Sequence, residues 1–191
     1  MRVSEFVEAA TLPGAAVIWF TGLSGAGKTT IARRLIELLA ERGIRGELLD
    51  GDEIRRRYKM PAGFDRASRD AHVRRTGYLA SRLERHGAVV VCALISPYAA
   101  ARDHVRSLCR RFIEVHVSTP LDECERRDTK GLYAKARRGE IQQMTGIDDP
   151  YEAPSAPEVT IDTREVTVDD AAALVLQALE AASRPTAAAA R

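Results

Sequence analysis

The chain has 191 residues, 45% apolar and 29% charged, with a formal net charge of +2. That is enough for one soluble α/β-sized domain with a sizeable core, short for two, and too weakly basic for wholesale nucleic-acid binding. No run nears the roughly 18 apolar residues of a membrane span, and Glu5 and Glu8 stand where a secretory leader would be apolar, so a cytoplasmic chain is expected.

In chain order, Ala15 to Phe20 reads as a short buried strand and Ile31 to Leu39 as an amphipathic helix. Between them Gly22-Leu23-Ser24-Gly25-Ala26-Gly27-Lys28-Thr29 matches G-x-x-x-x-G-K-[ST] in full. Glycines at a strand-to-helix turn leave backbone N–H groups free to point at phosphate oxygens, and the helix N-terminus adds partial positive charge. Lys28 is placed to reach the β- and γ-phosphates and the Thr29 hydroxyl to ligate Mg²⁺. The candidate ATP-binding set is therefore Gly22, Ser24, Gly25, Ala26, Gly27, Lys28, Thr29 and Thr30.

After the turn bracketed by Gly43 and Gly46, a second strand (Glu47-Leu48-Leu49) ends on Asp50-Gly51-Asp52. Phosphoryl transfer needs one carboxylate in the metal shell and another that orients or deprotonates the nucleophile, so Asp50 is assigned to Mg²⁺ and Asp52 to the base. A turn with two solvated aspartates is the competing account. Phe64 follows in a polar loop, able to stack on a base or to fill core. Helices are predicted over Arg66 to Arg85 and Ala99 to Leu108, with a continuous β-branched strand, Ala88 to Ile95, between them. Arg55, Arg69, Arg74, Arg75, Arg102 and Arg106 surround this region; guanidinium suits anionic oxygens, although any one of them alone reads better as a solvated charge.

A strand over Phe112 to Val117 and a helix over Pro120 to Arg127 come next. The basic, glycine-punctuated stretch from Arg127 to Gly139 reads either as a mobile lid or as a solvated helix. A weak strand (Glu158 to Ile161), a closing helix (Val168 to Ala182) and a low-complexity tail (Ser183 to Arg191) complete the chain. Cys92, Cys109 and Cys124 lack metal or redox spacing and read as packing residues. Alternating strands and helices give a P-loop NTPase-type, mostly parallel sheet with helices on both faces, one domain over residues 1–182 with a lid at about 128–150. Its ligands belong at the carboxyl ends of the strands.

Further motifs stand in a familiar order: Asp50-Gly51-Asp52-Glu53-Ile54-Arg55, Gly63-Phe64 with Arg69 and Arg74-Arg75, Ile95-Ser96-Pro97-Tyr98, Arg127-Asp128-Thr129-Lys130-Gly131-Leu132-Tyr133, Gly139-Glu140-Ile141, Thr145-Gly146-Ile147-Asp148 and Tyr151-Glu152-Ala153-Pro154. From about Val17 to Val168 the chain resembles the adenylylsulfate kinases. The resemblance implies ATP- and Mg²⁺-dependent phosphorylation of the 3′-hydroxyl of adenosine 5′-phosphosulfate, and a homodimer. It implies an acceptor site of Asp52, Arg55, Phe64, Arg69, Val73, Ile95, Ser96, Lys130 and Leu132, and an ATP adenine bordered by Arg127 and the Thr163 to Val166 segment.

The departures gather on the acceptor side: His72 for the family's usual asparagine, Met144 and Leu94 for phenylalanines, and Arg56-Arg57-Tyr58-Lys59 for a common His-Gly-Leu-Asn-like run. His72 and Met144 stay in the candidate substrate set, and a different nucleotide-linked or hydroxylated acceptor remains the alternative. A nucleotide-dependent regulatory switch is the weakest reading, because the chain has no asparagine and so lacks the guanine-reading Asn-Lys-x-Asp motif.

Overall fold

The computed structural model describes residues 14–58 and 63–183; the expectations about the N-terminal leader region, Lys59 and residues 184–191 of the tail lie outside the described residues. Five strands, β1 (Ala16–Thr21), β2 (Gly46–Asp50), β3 (Val89–Ala93), β4 (Phe112–Val117) and β5 (Val159–Ile161), form one sheet in the order β2-β3-β1-β4-β5. Every pairing is parallel. The helices are α1 (Lys28–Glu41), α2 (Gly51–Arg57), α3 (Arg66–Arg85), α4 (Ala99–Leu108), α5 (Leu121–Arg127), α6 (Leu132–Arg137) and α7 (Val168–Ser183).

Strand alternation splits the core in two. Ala16, Ile18 and Phe20 of β1 pack with Ile31, Leu35 and Leu39 of α1 and with Val175, Leu176 and Leu179 of α7. Val17 and Trp19 point the other way, toward Val73 and Ala80 of α3 and Ala101 and Val105 of α4. A side chain at Gly77 would collide with Val105, so glycine is what lets α3 and α4 approach closely. With both faces covered, β1 and β3 are wholly buried, which is why they read as continuous apolar runs.

Register brings the working ends level. Phe20 and Asp50 both pair with Ala93, so β1, β2 and β3 finish side by side and release the phosphate loop, the Asp50 turn and Ile95-Ser96 at one edge.

One segment differs from expectation, and another takes one of the forms expected of it. Asp50-Gly51-Asp52, read as a strand end or turn, starts helix α2: the Asp50 carboxylate accepts from the amides of Asp52 and Glu53, and Arg55 to Arg57 favour the C-terminal end of the helix dipole. The basic stretch after Arg127, read as a lid or a helix, contains α6, whose amides at Tyr133 and Ala134 in the first turn are capped by the Asp128 carboxylate at 3.1 and 2.9 Å.

Candidate active site

The phosphate loop is shaped by glycine. Gly22, Gly25 and Gly27 have φ of 146°, 75° and 106°, and a side chain at Gly22 would collide with the Val117 carbonyl. Lys28 lies folded back into the loop, its Nζ donating to the carbonyls of Gly22 (2.9 Å) and Leu23 (2.7 Å). Burial, reinforced by the nearby charge of Lys130, lowers its pKa to about 8. The ammonium is thus poised to exchange two carbonyls for a stronger anionic partner.

Thr29, in the first turn of α1, donates from Oγ1 to Oδ2 of Asp50 at 2.9 Å. The other Asp50 oxygen accepts from the Asp52 amide at 3.0 Å and the Glu53 amide at 3.2 Å, so the carboxylate is locked by the helix it caps. A hydroxyl and a carboxylate, both hard oxygen donors, sit together at the mouth of the loop, a donor set that fits Mg²⁺. Asp52, the second residue of α2, pairs with Lys130 from the segment before α6. Burial opposes its ionisation, but the hydrogen bond and charge of Lys130, with Lys28 and Arg55 behind them, outweigh that and hold its pKa below the ordinary value.

One cleft of about 320 Å³ runs from the loop past Asp52 into a recess. Ser24, Gly25, Gly27, Lys28, Thr29, Thr30 and Asp50 line one end. Asp52, Arg55, Phe64, Arg69, His72 and Val73 line the rest together with Ile95, Ser96, Lys130, Leu132 and Met144. Phe64 is 52% exposed and has the guanidinium groups of Arg55 and Arg69 at 5.2 and 5.5 Å from its ring centre. Arg69 donates to the carbonyls of Phe64 and Gln143, and Arg55 to that of Gly63 at 3.2 Å. Ser96 is buried in a left-handed conformation (φ 41°) and accepts from the Trp19 indole at 3.0 Å.

His72 is buried in the floor. Burial, with the charge of Arg55, lowers its pKa to about 4, so the ring is neutral near pH 7, and its Nδ1 has no hydrogen-bond partner among the described residues. A Cβ on Gly51 would lie 2.9 Å from Leu94 Cγ and 3.3 Å from His72 Nε2, so two of the departures press on the same turn, between Asp50 and Asp52.

Other residues fall elsewhere. Gly22 and Ala26 support the loop without lining the cleft, Ala26 being wholly buried. Arg127 donates to Glu123 and to Thr163 Oγ1, each at 2.7 Å, and Thr163 in turn reaches the Ala26 carbonyl at 3.2 Å; Val166 packs on the α1–α7 core. This group flanks the loop from outside the cleft. Arg102 is buried on Glu114 at 2.8 Å, Arg106 pairs with Glu114 and Glu158, and Arg74 and Arg75 are exposed away from the cleft lining. Reasoning from residue type missed Pro97, Thr129, Ile141, Gln142 and Gln143, which also line it. Nothing in their chemistry marks them; the loop after β3 brings Pro97 there, and the path of the chain around α6 brings the other four.

Comparison with known proteins agrees along most of the chain. The family profile described as Adenylylsulphate kinase matches residues 14–162. An adenylyl-sulfate kinase of Synechococcus sp. (strain JA-3-3Ab) is 51% identical over 162 residues, 85% of this chain and 92% of that protein. The solved Mycobacterium tuberculosis APS kinase in complex with AMPPNP and APS superposes with a TM-score of 0.84 at 41% identity, covering 88% of this chain and 99% of that one. A hexameric APS kinase from Thiobacillus denitrificans gives 0.66 at 37% identity, over 86% of this chain but 28% of that longer one. With the family profile spanning the sheet and the cleft alike, this chain belongs to the adenylylsulphate kinase family and is a phosphotransferase acting on a hydroxyl acceptor.

Proposed function

We propose that this chain transfers the γ-phosphoryl group of ATP to the 3′-hydroxyl of adenosine 5′-phosphosulfate, yielding ADP and 3′-phosphoadenylylsulfate. The observation that carries the reading is one continuous cleft with an amide-and-ammonium cradle at one end, an aromatic ring between two guanidinium groups at the other, and the ionised Asp52 where the two meet. The triphosphate takes the Lys28 ammonium from the Gly22 and Leu23 carbonyls. Phe64 stacks on the acceptor's adenine, with Met144 on the opposite side, while Arg55 and Arg69 face its phosphosulfate.

Asp52 orients the 3′-hydroxyl and accepts its proton as the oxygen bonds to the γ-phosphorus and the bond to ADP breaks. Lys130, already paired with Asp52, lies where negative charge builds up between donor and acceptor. Thr29 and Asp50 would hold Mg²⁺, which when bound neutralises phosphate charge. Arg127, Thr163 and Val166 border the ATP adenine.

Residues 128–150 act as a lid that excludes water from the transfer. Supporting this, the segment supplies Lys130, Leu132 and Met144 to the cleft and is tied to the loop by the Tyr133 hydroxyl on the Ser24 carbonyl at 2.9 Å. Assembly as a homodimer and a cytoplasmic setting complete the reading; Cys92, Cys109 and Cys124 are free thiols, in keeping with a reducing compartment. The test is ADP release with ATP, Mg²⁺ and adenosine 5′-phosphosulfate, which is expected to follow acceptor consumed one for one. A flat trace beside a working control kinase would reject this acceptor in favour of another hydroxylated metabolite.

A further inference from the structure

Arg69 is a nearly buried cation at the acceptor end, 7% exposed, and its hydrogen bonds to the Phe64 and Gln143 carbonyls leave its charge uncompensated. The carboxylate nearest to it is Asp149, with Oδ2 at 3.7 Å from the Arg69 Nε, and Asp149 lies outside the cleft lining. Its side chain is 14% exposed and is itself held by the Tyr98 hydroxyl, at 2.8 and 3.0 Å from its two oxygens. Its main chain closes the loop that carries Met144: the Asp149 amide donates to the Met144 carbonyl at 3.3 Å, and the Gly146 amide donates to the Asp149 carbonyl at 2.8 Å. One residue therefore ties together the start of α3, the start of α4 and the rim of the recess.

We propose that Asp149 is a positioning residue for the acceptor: its carboxylate balances Arg69 and so fixes the guanidinium, the Phe64 backbone and the Gln143–Met144 rim in the arrangement that receives an anionic nucleotide. A buried cation without its counter-ion would move toward water or toward another partner. Burial lowers the pKa of Arg69, and Asp149 is the foremost charge opposing that. Tyr98, its phenol pKa raised to about 12 by burial and by Asp149, remains a hydrogen-bond donor at any working pH. The inference rests on the function proposed above for its kinetic test alone.

Asp149→Asn keeps the shape and an oxygen for Tyr98 but removes the charge. Its KM for adenosine 5′-phosphosulfate is expected to rise by about tenfold, the lower end of what a lost contact to a charged group costs, with the KM for ATP and kcat within about twofold. Tyr98→Phe, which leaves the carboxylate, is expected to raise that KM by no more than about twofold, the scale of one neutral hydrogen bond. A second readout needs no substrate: the rate of phenylglyoxal modification at Arg69, followed by peptide mass spectrometry, is expected to rise severalfold in Asp149→Asn and to stay unchanged in Tyr98→Phe.

An unchanged labelling rate at Arg69, or equal rises in both KM values, would overturn the proposal. If the wild-type protein fails to turn over adenosine 5′-phosphosulfate, the proposed function falls and the labelling comparison still decides Asp149. Should Asp149→Asn not fold, Asp149→Glu displaces the charge by one methylene; faster labelling of Arg69 is expected, and a wild-type rate would count against the role.

Discussion

The donor and acceptor ends of the cleft share a floor but are built on different principles. At the donor end, the proposed phosphate site is a single strand-to-helix turn of glycine conformations and one lysine, and the side chains of Lys28, Thr29 and Asp50 are all hydrogen-bonded. At the acceptor end the surface is made of side chains brought from α2, α3, the loop after β3 and the segment around α6. It even retains a buried nitrogen, His72 Nδ1, with no hydrogen-bond partner among the described residues. A backbone cradle tolerates little change except in residues that do not face it, whereas a side-chain pocket is retuned by ordinary substitution. His72 and Leu94, two of the residues by which the sequence reading sets this chain apart, meet there beside Gly51.

This contrast is open to direct attack. Lys28→Ala is expected to lower kcat by about three orders of magnitude or more, the scale of a lost transition-state charge contact, with the acceptor KM nearly unchanged; near-normal turnover would mean the cradle is not where the γ-phosphate is held. Asp52→Asn, at the junction, should cost roughly 10²-fold to 10⁴-fold in kcat for a lost general base. If single-turnover rates in that variant matched the wild type, Asp52 would be a structural partner of Lys130 and nothing more. Phe64→Ala is expected to weaken acceptor binding by about 1 kcal/mol, several-fold in KM, and to leave ATP untouched; a matching change in the KM for ATP would erase the division into two ends.

The smallest effect is on stability in acid. His72 has a folded pKa of about 4 against an ordinary 6.5, so between these values the unfolded chain binds the proton and the folded chain does not. Stability is therefore lost progressively as pH falls from about 6.5 toward 4. His72→Asn should lose less over that window, as read from urea midpoints at pH 7 and 5. Parallel pH slopes for the two proteins would show that the ring is better solvated than its burial implies.

Much of this was legible in local pattern. The spans of α3, α4 and β4 coincide with the apolar periodicity that predicts them, because each buries one stripe or both faces against neighbours. Helix α2 was not legible, since Asp-Gly is turn chemistry until the Asp50 carboxylate is seen capping the amides that follow. Arg102 and Arg106 were candidates for anions by charge alone, yet Glu114 of β4 and Glu158 before β5 claim them through sheet pairing that no local spacing reveals.

The phosphate loop could be read from eight consecutive residues because its chemistry is that of the backbone, and glycine spacing dictates backbone shape directly. The recess could not, since a counter-ion such as Asp149 stands 80 positions from Arg69 and becomes its partner only when α3, α4 and the segment after α6 pack together. Charges separated along a chain meet according to burial and topology, and it is the packed sheet with its helices that decides which arginine faces a ligand and which faces a glutamate.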